Sequence, residues 1–163
     1  MRKRRVVVVA LVVAVAAVST GPAGAAVTAK LDGCKVLKAS EVTRITGFAA
    51  TTTPVGTRSQ GEAGCSYALD DLAPHSVLLV VQKNGGQNSK IAYRTTKAAF
   101  KDQIEPVSGF GKNAFYAGGG IDTLYVLKGG TYVSVQYTAL GDADQARIKD
   151  DVVAMTKIAL SRV

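Results

Sequence analysis

Between Ser76 and Gln82 the chain runs through five apolar residues in succession, Val77, Leu78, Leu79, Val80 and Val81. A strand without polar alternation is covered on both faces, which predicts a central place for it in a sheet. The pattern from Thr131 to Thr138 is different: Val133, Val135 and Tyr137 alternate with Tyr132, Ser134 and Gln136. That period of two belongs to a strand with one buried face. Leu124–Lys128 precedes it across Gly129-Gly130, a two-residue spacing that predicts a tight hairpin. Cys65–Leu69 reads as a further short strand, and Asp70-Asp71-Leu72-Ala73-Pro74 as the turn after it.

Three segments carry helical spacing instead. From Val36 to Gly47, Ser40 is the expected N-cap, Glu41 lies in the first turn and Gly47 closes the helix, with Val42 and Ile45 on one face. Asn88–Asp102 is expected to be helical with Ile91, Ala92, Thr95, Ala98 and Ala99 as its stripe, and Pro106 ends any continuation. Asp142 and Gln145 have capping-box spacing ahead of the stripe Ile148, Val152, Met155 and Ala159. From Phe48 to Gly64 the Thr- and Gly-rich composition predicts a weak strand and an exposed loop. The order helix, strands, helix, strands, helix has no βαβ rhythm. It predicts an α+β fold, a mostly antiparallel sheet with flanking helices.

The N-terminus changes the picture of where this fold resides. Arg2, Lys3, Arg4 and Arg5 precede thirteen unbroken apolar residues, Val6–Val18, and the small-residue stretch ending Ala23-Gly24-Ala25. That layout predicts a secretory signal peptide over 1–25, cleaved after Ala25 or Ala26, and a single α+β domain over 26–163. A membrane span needs roughly 20 apolar residues, so no stable span is expected once the leader is removed. Arg4-Arg5 alone does not make a twin-arginine signal. Leu31-Asp32-Gly33-Cys34 does not make a lipoprotein site, because Asp32 stands where a small uncharged residue belongs.

Removing the leader also changes the charge. Four of the twenty basic residues go with it, leaving sixteen against twelve acidic ones, a net charge of +4. Those cations are scattered and the chain has no Trp, so a nucleic-acid footprint of clustered basic residues with stacking aromatics is not expected. Cys34 and Cys65 are the two cysteines of the chain. In an oxidising compartment they predict one disulfide rather than a reactive thiol, since neither carries an activating motif.

Gly109-Phe110-Gly111-Lys112-Asn113-Ala114 has the spacing of a dinucleotide-binding loop. Such a loop joins a buried strand to a helix N-terminus. Here a polar, Pro-containing segment precedes it, a strand-turn-strand pattern follows, and Lys128, Gly129 and Gly130 stand where an acidic residue is required. The reading is a turn into a strand, and no cofactor is expected.

Taken together, Cys34 with a short helix ending in Gly, Gly64-Cys65-Ser66-Tyr67, "VSGFGKNAF", "LYVLKGG" and a terminal helix resemble a family of small actinobacterial exported proteins and lipoproteins of unassigned function. The resemblance covers about Cys34 to Leu160. It implies an extracytoplasmic location and supplies no catalytic residues.

Candidate chemistry is sparse. His75 is the one histidine, with Asp70 and Asp71 shortly before it and Ser76 beside it. The set is weighed as a metal or Ser-His-Asp arrangement against a polar turn entering a strand, and the turn is the expectation. One histidine and two paired cysteines exclude a zinc set of several His or Cys ligands. The carboxylate pairs Asp102/Glu105, Asp142/Asp144 and Asp150/Asp151 are read as solvated charges at helix ends and on helical faces. Ala117–Gly120 is read as a hairpin loop before an anion nest. No catalytic, cofactor-binding or metal-ligating residues are assigned. Two function classes follow: a non-catalytic binding domain at the cell exterior, framed by loops 51–64 and 117–120, or a small secreted hydrolase using His75 with Asp70 or Asp71. A protease inhibitor would need a rigid exposed loop, and the glycines of 51–64 argue against it.

Overall fold

The computed structural model describes residues 31–55, 61–70, 75–83, 87–118, 121–139 and 145–163. The expected leader, Asp71, the stop at 84–86 and the expected cap Asp142 lie outside them. In chain order the elements are α1 (Gly33–Val36), α2 (Ala39–Thr46), β1 (Ala49–Val55), β2 (Glu62–Asp70), β3 (His75–Gln82), α3 (Gln87–Ala99), β4 (Ile104–Glu105), β5 (Ala114–Ala117), β6 (Ile121–Lys128), β7 (Thr131–Thr138) and α4 (Gln145–Leu160). The strands form a sheet of order β1-β2-β3-β7-β6-β5-β4 with every neighbouring pair antiparallel. Two meanders thus meet where β3 pairs with β7, and the link between them carries α3. This is the α+β architecture that the patterning predicts.

Register decides what each face holds. One row crosses all seven strands through Pro54, Cys65, Leu79, Val135, Leu124, Tyr116 and Glu105. It lies on the face covered by α1, α2 and α4, where the main core collects. Leu79, Val135 and Leu124 are fully buried there, as are Val152, Met155 and Ala159 of the predicted stripe on α4. A side chain of this size contributes about 1.5–3 kcal/mol when removed from water.

A disulfide joins Cys34 of α1 to Cys65 of β2, with Cα atoms 5.0 Å apart. Two further contacts tie the same junction. The buried Tyr67 hydroxyl donates to the Leu37 carbonyl between α1 and α2, and Arg162 at the C-terminal end donates to the Val36 carbonyl at 3.0 Å and pairs with Glu41. Arg147 of α4 donates to the carbonyl of Thr46, the last residue of α2, at 3.0 Å. Gly47 then ends α2 with φ 81°, as its position predicts.

Five sequence expectations are corrected. Ser40 is not the N-cap: α2 starts at Ala39, and the Lys38 N–H is satisfied by the Glu41 carboxylate at 2.9 Å. The exposed loop expected over 51–64 is strand at both ends, in β1 and β2, with 56–60 outside the described residues. The α3 stripe is rotated: Ile91 is 54% exposed, and Ser89 and Tyr93 are the buried positions. Tyr93 and Phe100 bring aromatic area to Phe115, Tyr125 and Tyr132, which outweighs what alanines and threonines can bury. Strand β3 is central but covered fully on one face: Val77, Leu79 and Val81 are buried, whereas Leu78 and Val80 are half-buried. The helix α3 on that second face is anchored at the far end of β3, where Ser89 bonds the Gln82 carbonyl, leaving the rest open. Finally, Glu105 is not at a helix end but in β4.

The glycine spacing behaves as a turn. Gly109 and Gly111 take φ 87° and 84°, Phe110 between them enters the core, and β5 follows. Gly129 and Gly130, both with positive φ, close the β6–β7 hairpin with Lys128 opposite Thr131.

Candidate functional site

At the β4 side of the sheet, the row that runs through Cys65 ends in Tyr116 and Glu105. Strand alternation brings Asp122 of β6 and Gly118 after β5 to the same face, and α4 adds Ala146 and Lys149 above them. With Gln103 these residues line a cavity of about 440 Å³, within the size range of small-ligand sites.

The floor of the cavity is a phenol–carboxylate pair. Tyr116 donates its hydroxyl hydrogen to Asp122 Oδ1. Both residues are buried, at 3% and 1% exposure. Asp122 Oδ2 is shielded from water and accepts no hydrogen bond from the described residues, which is a costly arrangement for a buried polar atom. Burial, and then the neighbouring Asp122 carboxylate and the charge of Glu105, push the Tyr116 phenol well above its usual range. Gly118 keeps the pair reachable: a Cβ there would stand 3.1 Å from Tyr116 Cε1 and 3.2 Å from Asp122 Oδ1.

The rim is an ion pair. Lys149 Nζ pairs with Glu105, and the same ammonium lies 5.0 Å from the centre of the Tyr116 ring. The side chains remain 34% and 56% exposed, so water screens the pair. Two carboxylates and one ammonium therefore line the site. That balance does not suit an anion, and Gly118 serves the site by lacking a side chain; Gly119 and Gly120 lie outside the described residues.

No family model matches the chain, and no curated protein or solved structure matches it.

The residues singled out by sequence sit elsewhere. His75 opens β3 on the core face, opposite Leu69, with its ring 5.3 Å from Phe48 and 6.1 Å from Tyr137, both edge-on. Asp70 pairs with Ala49 at the end of β2, exposed and on the other face of the sheet from His75. Asp71 lies outside the described residues. Cys34 and Cys65 are joined as expected. Among the described residues, no three His, Cys, Asp or Glu side chains are grouped to hold a metal ion, and no helix is long and apolar enough to cross a membrane.

The cavity itself was not visible in the linear reading. One signal was available: Asp122 shares its strand face with Leu124 and Val126. A carboxylate in register with a core stripe points to the buried face, where an acidic side chain is rare and marks a candidate site.

Proposed function

We propose that the chain is an exported, non-catalytic binding domain acting at the bacterial cell exterior, and that the Glu105–Tyr116–Asp122–Lys149 cavity is where it takes a small polar ligand. The observation that carries the reading is a cavity of about 440 Å³ lined by Glu105, Tyr116, Asp122 and Lys149, in whose wall the buried Asp122 carboxylate is held by Tyr116 through one oxygen and accepts no hydrogen bond from the described residues on the other. Polar groups convergent in a concavity of this size are the general form of a ligand site.

The signal-like N-terminus, the disulfide and the resemblance to exported actinobacterial proteins support the location. The separation of Asp70 from His75 across the sheet favours binding over the hydrolase alternative. The test is a ligand-dependent melting screen of the purified protein with cell-envelope fragments and metabolites. A stabilising compound should lose its effect in Gly118→Leu, whose side chain would fill the cavity beside Tyr116 and Asp122. Stabilisation that survives this substitution, or a screen with no stabilising compound, overturns the reading.

A further inference from the structure

We propose, building on the cavity as a ligand site, that the ligand presents a primary ammonium group and that Lys149 holds its place in the ligand-free protein. The Lys149 ammonium already occupies the surroundings such a ligand would seek. Glu105 pairs with it, the Tyr116 ring face lies 5.0 Å away, and the Asp122 carboxylate stands at the cavity floor. Carboxylate and aromatic face together are the chemistry that recognises an organic cation.

Charge balance selects the same class. Lys149 answers Glu105, and among the described residues no cation forms an ion pair with Asp122. Its second oxygen accepts no hydrogen bond from the described residues, and the group sits in a buried setting where a carboxylate favours a nearby cation. An anionic ligand would add to that excess. A neutral polyol would find acceptors but leave the charge as it stands. A metal ion would want more ligands than the described residues group together.

Lys149 is a plug that yields. Its pair with Glu105 is half-exposed on both sides, and such pairs are worth at most about a fivefold factor in an equilibrium. The four-carbon stem lets the ammonium swing away into water while its apolar part stays against the protein.

The experiment is calorimetric and NMR titration of the purified protein with four probes: glucosamine, putrescine, glucose as the neutral match, and acetate as the anion. The two amines should bind and glucose and acetate should not, with the stronger amine deciding between an amino sugar and a linear amine as the source. Lys149→Met should tighten amine binding about two- to fivefold, by removing the competitor. Glu105→Gln should weaken it by up to about fivefold. Asp122→Asn should weaken it as well, and because that buried substitution risks the fold, the exposed Glu105→Gln carries the test alone if needed. Loss of amine binding in Lys149→Met overturns the plug, and unchanged affinity in Glu105→Gln overturns the ammonium site. Glucose or acetate binding that Gly118→Leu removes would refute the ammonium assignment while leaving the cavity a ligand site. No binding by any probe refutes the ammonium assignment.

Discussion

Gly33 rests directly on the backbone of Gly64: a Cβ on Gly33 would stand 2.5 Å from the Gly64 carbonyl carbon and 2.6 Å from its oxygen. Each glycine precedes one of the bridged cysteines, and the missing side chain of Gly33 is what lets α1 settle on β2 and bring Cys34 and Cys65 within reach. The obstacle is backbone, which cannot swing aside. Gly33→Ala should therefore destabilise the protein by about 1–3 kcal/mol, the range of overpacked substitutions. Urea unfolding of this variant against the parent, both oxidised, measures it, and an unchanged midpoint would show that the junction is looser than its geometry.

Reduction of the disulfide should cost a similar amount. The bridge spans a sequence separation of 31 residues, and closing such a loop lowers the entropy of the unfolded chain by about 3–4 kcal/mol at 25 °C. The double variant Cys34→Ala/Cys65→Ala should melt lower than the parent by an amount consistent with about 2–4 kcal/mol. Intact mass before and after reduction checks the premise, since two free thiols in protein prepared under oxidising conditions would contradict the bridge.

Glu41 and Arg162 give the protein an acid-sensitive clasp between α2 and the C-terminal end. The Arg162 guanidinium hydrogen-bonds the Glu41 carboxylate and holds its pKa down at about 2. Because the folded value lies below the usual glutamate value of about 4.3, the clasp contributes fully above that pH. Its contribution fades as pH falls from about 4.3 toward 2. Solvent reaches both side chains, so the effect is about 1 kcal/mol. Glu41→Gln should remove that much stability at neutral pH and flatten the dependence in this acid window, as read from melting temperature against pH.

Tyr116 should be felt at the alkaline end. Burial and Asp122 raise its phenol well above the usual range, and burial raises Tyr67 likewise. The unfolded chain ionises these groups near pH 10 while the folded protein resists, so stability falls as pH rises past about 10. Tyr116→Phe should lose one late-titrating phenol in ultraviolet absorbance. It should also destabilise the fold by about 1–3 kcal/mol, because Asp122 Oδ1 then joins Oδ2 without a donor. A variant as stable as the parent would mean that water takes the place of the phenol.

The local pattern carried much of the fold. Alternation through Val133, Val135 and Tyr137, the Gly129-Gly130 turn, and the stripe Ile148–Val152–Met155–Ala159 are short-range signals, and the elements stand where these place them. The Cys34–Cys65 pairing was equally legible, since two cysteines admit one intramolecular bridge. The rotated face of α3 was not: Ile91 and Tyr93 compete for burial, and aromatic neighbours on β5, β6 and β7 settle the matter.

The linear order of apolar and polar residues thus determined the element types, the α+β class and the disulfide, because hydrophobic periodicity and turn chemistry act over a few neighbours. Sheet order and register decided the rest. Only when β4, β5 and β6 pair does Glu105 stand beside Tyr116 and Asp122 come beneath it, and only when α4 packs across them does Lys149 close over the pair. Contacts between residues as far apart in sequence as Glu105 and Lys149 depend on the whole sheet being assembled, so no local pattern announces them.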